Sequence, residues 1–89
     1  MTYGVYALRD RVSENFSSPT FEEKNDVAMR NLAFSVNNNS QMLFFSKDLE
    51  LWKIGDIELK TGVITPLVPM ELVCRADSLI GKDFIDEKI

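Results

Sequence analysis

The sequence predicts an α+β domain in which a small antiparallel sheet of three or four strands packs against one helix. Segments near both ends of the chain alternate apolar and polar residues, the period of two that is typical of strands. A segment between them repeats apolar residues every three or four positions, as an amphipathic helix does. A Thr-Gly pair between two alternating segments indicates a hairpin turn. The expected order is therefore strand, helix, hairpin.

The first strand is expected over residues 2–10, TYGVYALRD. Alternation divides its side chains into two faces, Tyr3, Val5 and Ala7 on one and Gly4, Tyr6 and Leu8 on the other. Because both faces are largely apolar, we expect this strand to lie inside the sheet, with neighbours on both sides.

The helix is expected from Thr20 to Asn37. Thr20 and Glu23 have the spacing of a capping box, although a later start at Asn25 or Asp26 also fits the sequence. A buried stripe is expected at Met29, Leu32, Ala33 and Val36. Phe34 falls off this stripe, and it either packs under the flanking loop or lies at a subunit contact.

The second half of the chain is expected to supply the remaining strands. The apolar run QMLFFS at 41–46 indicates a strand fragment or a buried anchor in the core, and the alternation at 49–58 indicates a full strand. In that strand, Trp52 and Ile54 are expected on one face, and Leu49, Leu51 and Ile57 on the other.

A turn at residues 59–62, in which Gly62 supplies a positive φ angle, leads to a return strand that begins GVITPL. Pro66 and Pro69 lack amide donors, which places this return at a sheet edge or just past the end of the strand. Residues 70–77 indicate a last strand. We therefore expect one domain over residues 1–80 and a polar C-terminal tail over residues 81–89.

Composition limits how so small a domain can be stabilised. A chain of 89 residues buries only about 60% of its unfolded surface. The single cysteine cannot form an intramolecular disulfide, and without histidine the usual Cys and His zinc sets are missing. Association with another chain is the remaining source of stability, so we expect a homo-oligomer.

The residue types argue against catalysis. Ser-His-Asp and Cys-His arrangements need an imidazole base, and the chain has no histidine. Cys74 lies within an apolar alternation, where a buried, inert thiol is expected. The carboxylates at 56–58 and 86–88 have no spacing specific to a catalytic pair. We predict a protein that is not an enzyme and has no catalytic, cofactor-binding or metal-binding residues.

One group of aromatic and basic residues could contact a partner or nucleic acid: Tyr6, Arg9, Arg11, Trp52 and Lys53. Aromatic side chains beside cations can hold single-stranded DNA by stacking. However, ten basic residues are dispersed among fourteen acidic ones, and the net charge is −4. An acidic surface favours contact with proteins over contact with phosphates.

The chain gives no sign of export or membrane insertion. The residues MTYGVYALRDR lack the basic start and apolar run of a signal peptide. The longest uncharged apolar run is far shorter than the roughly 20 residues that cross a bilayer. A cytoplasmic protein is therefore expected.

Three segments, in this order and spacing, resemble the small nonstructural protein of gokushoviruses, single-stranded DNA phages of the Microviridae. They are YGVYALRD at 3–10, NDVAMRNLAFSVNN at 25–38 and LELWKIGDIELKTGVITP at 49–66. The resemblance implies a phage accessory protein that is made in the cytoplasm of the infected bacterium and is absent from the virion.

The resemblance also implies a role when replication changes from duplex copies to single-stranded genomes for packaging. The partner would be the replication initiator, a host replication protein or the procapsid. Direct binding of single-stranded DNA is the alternative function, and inhibition of a host protein is a second alternative.

Overall fold

A computed structural model describes residues 1–82 and has the predicted α+β fold. The elements are β1 (Thr2–Asp10), β2 (Asn15–Phe16), β3 (Thr20–Glu22), α1 (Asn25–Asn38), α2 (Ser40–Phe45), β4 (Leu49–Glu58) and β5 (Ile64–Arg75). Two short 3₁₀ helices follow α2 and β5, at Ser46–Asp48 and Ala76–Leu79. The proposed tail at 81–89 falls mostly outside the described residues, and its separation from the domain stays a prediction.

The sheet is antiparallel and has five strands in the order β2-β1-β4-β5, with β3 also paired to β1. The two strands beyond the predicted number are the short β2 and β3. They lie beside the two halves of β1, which pairs with β4 along its other edge. The prediction that residues 2–10 form an interior strand is confirmed.

The helix begins later than the capping-box spacing predicts. Residues Thr20–Glu22 form β3, in which Thr20 pairs with Tyr6, so their backbone groups belong to the sheet. Helix α1 starts at Asn25, the later of the starting regions considered, and Lys24 at its N-cap makes no side-chain capping bond. Pairing with β1 therefore outweighs the local capping signal.

The apolar run at 41–46 is helical, and contrary to the prediction none of its residues in α2 is buried; Ser46, which begins the following 3₁₀ helix, is buried. The Asn39 side chain caps α2, because its Oδ1 accepts hydrogen bonds from the amides of Gln41 and Met42 at 2.9 and 3.1 Å. Of this run, only Met42 packs against the core. The helix leaves the rest of its apolar surface facing outward.

A bulge in β4 reverses the predicted side-chain alternation. Val5 pairs with Gly55 but the next residue, Tyr6, pairs with Lys53, so Ile54 is an extra residue in β4. Ile57 consequently lies on the same face as Trp52 rather than with Leu51. The predicted faces of Leu51 and Trp52 are correct.

Strand β5 joins the return segment and the predicted last strand into one edge strand. The edge position predicted from the prolines is confirmed, and Gly62 has a φ of 78° in the preceding turn. Pro66 pairs with Gly55 and Glu71 with Lys53, so residues 67–70 lie opposite the single residue Ile54. This wide bulge carries the highly exposed Val68.

The core lies between α1 and one face of the sheet. Leu32, Ala33 and Val36 of the predicted stripe are buried, as is Ala28, and Met29 packs beside them. They contact the face that carries Tyr6 and Leu51, and Ala76 and Leu79 of the last 3₁₀ helix complete the cluster. The molecule is a slab of 39 × 37 × 19 Å, the thickness of one sheet and one helical layer.

Gly55 permits close approach of β4 and β5. A Cβ atom at this position would lie 2.8 Å from the carbonyl oxygen of Thr65, a backbone atom that cannot move aside freely. We expect Gly55→Ala to lower the free energy of unfolding by about 1–3 kcal/mol, measured by urea denaturation. Gly62→Ala is the control, because alanine there strains the backbone at a positive φ but makes no steric contact: nothing lies within 4 Å of its Cβ position. Equal stability of Gly55→Ala and wild type would contradict the close approach.

Candidate interaction surfaces

The structure does not bring the five predicted contact residues together. Tyr6 and Lys53 are register partners on the helix-covered face, whereas Arg9 and Trp52 lie on the opposite face. Arg11 follows the end of β1, where its amide donates to the carbonyl of Asp48. The prediction of one shared surface is therefore wrong for Tyr6 and Lys53, because strand alternation puts them on the far side of the sheet.

Tyr6 is a core residue with 1% of its surface exposed. Its hydroxyl donates a 2.6 Å hydrogen bond to Oδ1 of Asn25, and Nδ2 of Asn25 donates to Oε2 of Glu71 at 3.2 Å. This chain of bonds links β1, the start of α1 and β5. Burial raises the pKa of the Tyr6 phenol, and the nearby carboxylates of Glu71, Asp56 and Glu22 raise it further.

The raised pKa of Tyr6 predicts a loss of stability in alkaline solution. The unfolded phenol ionises at its ordinary pKa of 10.0, and the folded phenol ionises only at higher pH. The unfolded chain therefore releases its proton first, and the free energy of unfolding falls as the pH rises above about 10. Urea denaturation between pH 8 and 11 should show a smaller fall for Tyr6→Phe than for wild type; identical slopes would contradict this assignment.

Three cations at or near the predicted contact residues form ion pairs with carboxylates. Nζ of Lys53 lies 3.2 Å from Oδ1 of Asp56, and Nε of Arg11 lies 3.9 Å from Oε2 of Glu50. Nη2 of Arg75 lies 2.9 Å from Oδ2 of Asp77. Pairing of this kind leaves little free positive charge for binding phosphates.

The face opposite α1, here called the open face, is built from rows of paired residues that run across the strands. The apolar rows are Tyr3–Ile57–Ile64, Phe21–Val5–Gly55–Pro66 and Ala7–Trp52–Leu72, and the last row, Phe16–Arg9–Glu50–Arg75, adds charge. Three apolar rows thus lie side by side, with the charged groups at one end.

The open face lacks a covering layer within residues 1–82. All helical residues of the core cluster pack on the Tyr6 side of the sheet. Val5 and Ala7 are nevertheless buried, by their neighbours on the same face, while Ile64 and Leu72 remain 54% and 47% exposed. Trp52 is half-buried and its Nε1 donates to Oε1 of Glu50 at 3.0 Å. The open face is therefore an unpartnered apolar surface.

A second group of exposed apolar side chains, here called the helical patch, lies on α1 and α2 and consists of Phe34, Leu43, Phe44 and Phe45. Phe34 and Phe44 are 70% and 68% exposed, so Phe34 does not pack under a loop, one of the two interpretations left open. The rings of Phe44 and Phe45 meet edge to face at 5.2 Å, and Nζ of Lys47 lies 5.0 Å from the Phe44 ring centroid. A shallow depression of about 270 Å³ adjoins Phe34 and Met42.

Metal-ligand geometry and surface depressions can be described for residues 1–82. These residues contain no group of three or more His, Cys, Asp or Glu side chains placed to hold a metal. A cleft between β1, residues 17–20 and α1 has a volume of about 180 Å³, and a more polar depression beside Gly4, Asn25 and Lys53 has a volume of about 350 Å³. The second volume is at the lower end of the roughly 300–1,000 Å³ of small-molecule sites. Cys74 is half-buried, and burial raises the pKa of its thiol while a hydrogen bond with Ser78 lowers it.

Comparison with known proteins places the chain among phage proteins. No curated protein and no solved structure matches it. No helix within residues 1–82 has the length and apolarity needed to cross a bilayer. The sequence model of the family described as phage ORF5 protein matches residues 3–79, which is most of the chain. The chain therefore belongs to the phage ORF5 protein family.

Proposed function

We propose that this protein is a nonenzymatic phage accessory factor that acts through protein contacts. Its role would be in the switch to single-stranded DNA synthesis and genome packaging of a gokushovirus-like phage. Membership of the phage ORF5 protein family and the three resembling segments support the phage setting. The protein would work in the cytoplasm of the infected bacterium and stay out of the virion.

The observation that carries the proposal is the exposure of the helical patch. Exposed apolar patches rimmed by polar residues are typical of protein-binding sites. Phe34 and Phe44 are the most exposed large side chains of α1 and α2, and aromatic residues often dominate binding energy at interfaces. The net charge of −4 would steer this patch towards basic or neutral partners.

Direct binding of single-stranded DNA remains the alternative, and the open face favours it in one respect. Tyr3, Phe21 and Trp52 could stack with bases there. Of the nearby cations, however, Arg75 pairs with the carboxylate of Asp77, and Arg9 has the acidic Glu50 as its register neighbour. Tight binding to an oligonucleotide that weakens steeply between 50 and 200 mM salt, roughly 10³-fold or more, would support the alternative. Inhibition of a host protein is the second alternative.

A phage that lacks this gene tests the proposed role. It should accumulate duplex DNA and yield few packaged circles, as measured by gel analysis of intracellular and virion DNA. Wild-type protein supplied in trans should restore packaging. Normal packaging without the gene would overturn the switch role, and detection of the protein in purified virions would overturn the nonstructural assignment.

Variants of the helical patch test the contact surface separately. The double substitution Phe34→Ser and Phe44→Ser should fail to restore packaging, because it removes two exposed aromatic side chains from the patch. Val12→Ser is the matched control, since Val12 is exposed to a similar extent but lies outside the patch. Capture of the replication initiator, host replication proteins or procapsid by wild type and not by the double variant would identify the partner. Full activity of the double variant would show that the patch is not the contact surface.

A further inference from the structure

We propose that the open face is the interface of a homodimer, in which two copies stack their sheets face to face. Each copy would cover the apolar rows of the other, and the helices would lie on the two outer sides. The 19 Å slab would become one half of a four-layer molecule. This inference concerns the copy-to-copy surface and does not depend on which phage or host protein the helical patch contacts.

The size of the open face fits a dimer interface. The three apolar rows contain ten residues and cover a flat area on the order of 300 Å², given strand spacings near 4.8 Å and a rise near 3.3 Å per residue. The surrounding part of the slab's broad face, which measures 39 × 37 Å, would supply the rest of the roughly 800 Å² that each partner of a stable complex buries. The chain is also small enough to need additional apolar burial for stability.

The position of the charged row is compatible with two-fold symmetry. Row Arg9–Glu50–Arg75 lies at one end of the open face and row Tyr3–Ile57–Ile64 at the other. The two-fold axis would lie in the plane between the two sheets, perpendicular to the strands and above the row of Val5 and Gly55. It places the apolar rows of one copy over the apolar rows of the other. The charged row of each copy then falls beyond the end of the partner sheet. Charges remain in the solvated rim, and none is buried opposite a like charge.

The same face suits nucleic acid less well. In the strand register Arg9 and Arg75 lie on either side of Glu50, and Nη2 of Arg75 lies 2.9 Å from Oδ2 of Asp77. The three apolar rows carry no cation to neutralise a phosphate. The exposed part of the face instead consists of apolar side chains such as Phe21, Ile64 and Leu72, whose burial against a second apolar sheet releases water.

Light scattering coupled to size exclusion tests the dimer. Wild-type protein should have twice the 10.2 kDa mass of one chain at micromolar concentrations. The double substitution Ile64→Lys and Leu72→Lys should raise the dissociation constant at least about tenfold, because it puts two charges into each side of the interface. Ile64 and Leu72 are both exposed in the single copy, so the double variant should still fold. Phe34→Lys with Phe44→Lys, on the helical patch, is the control and should remain dimeric.

Trp52 gives an independent readout, because it is the single tryptophan and lies on the open face. Dilution of wild type should shift its emission to longer wavelength as the dimer separates, with an unchanged circular dichroism spectrum. If the lysine variant unfolds, Leu72→Ser replaces it and should still weaken the dimer at least tenfold.

Three results would overturn the proposal. They are a single-chain mass for wild type up to about 100 μM, a dimer unaffected by the open-face variants, and quenching of Trp52 by oligothymidine with one chain per complex. The first two would leave the phage role untouched, since the packaging assays test that role and the helical patch without measuring the oligomeric state. The third would favour the DNA-binding alternative.

Discussion

Tyr6→Ala is expected to lower the free energy of unfolding by about 3–5 kcal/mol, the range for removing a buried aromatic side chain. The ring lies in the core with Leu51 of β4 and the buried residues of α1. It also bends over Gly4, where a Cβ atom would lie 2.6 Å from Cε1 of Tyr6. Alanine would leave a cavity and deprive Oδ1 of Asn25 of its donor. For a domain of this size, such a loss is comparable with its whole stability.

Urea denaturation followed by Trp52 fluorescence and circular dichroism measures this effect. Tyr6→Phe is the matched control, because it keeps the ring and removes only the hydroxyl that bonds to Asn25. It should cost about 0.5–1.5 kcal/mol. A loss below 1 kcal/mol for Tyr6→Ala would contradict the core position, and would reopen its assignment as a contact residue.

Leu32→Ala is expected to lower the free energy of unfolding by about 2–5 kcal/mol. Leu32 is only 7% exposed and packs within the cluster that joins α1 to the sheet. Alanine keeps the helical propensity high, so the loss should come from the cavity and the missing contacts.

Phe34→Ala, two residues further along α1, is the control for this prediction. Phe34 is mostly exposed, and its truncation should change the free energy of unfolding by no more than about 0.5 kcal/mol. The same denaturation assay compares both variants. Equal losses would mean that α1 is rotated relative to the sheet, and a large loss for Phe34→Ala alone would place Phe34 in the core.

Local sequence patterns predicted those parts of the fold in which burial follows a regular period. The spacing of Leu32, Ala33 and Val36 identified the buried side of α1, and the alternation in β1 separated Tyr3 from Tyr6. The turn at Gly62 was predictable because its positive φ strongly favours glycine. Each of these features depends on neighbouring residues only.

The errors occur where a distant strand or a cap decides the structure. Thr20 has the spacing of a helix cap, but its backbone pairs with Tyr6. The two residues are too far apart in the sequence for a local pattern to predict this pairing. The composition of the run at 41–46 predicts a strand fragment or a buried anchor. Capping by Asn39 makes the run helical, and packing through Met42 alone leaves it exposed. The bulge at Ile54 reversed the face of Ile57.

The candidate surfaces were predictable only in part. Arg9 and Trp52 do share one face of the sheet, but alternation does not reveal which face the helix covers, and Tyr6 lies on the covered one. The open face also depends on residues from five strands, including Phe21 and Leu72, which become neighbours only through strand register. Phe34 was the one member of the helical patch that the helical period marked as unusual.

The wide bulge at residues 67–70 has a consequence for how the protein avoids uncontrolled polymerisation. An exposed edge strand can recruit further strands and seed fibrils. In β5 the outer edge is interrupted by Pro66 and Pro69, and Val68 projects from the strand between them. A strand from another chain could pair with only a few residues of β5 on either side of the bulge before its register was lost. The bulge therefore opposes addition of strands at the β5 edge. A chain rich in exposed apolar groups can then form closed complexes instead of polymeric β-sheets.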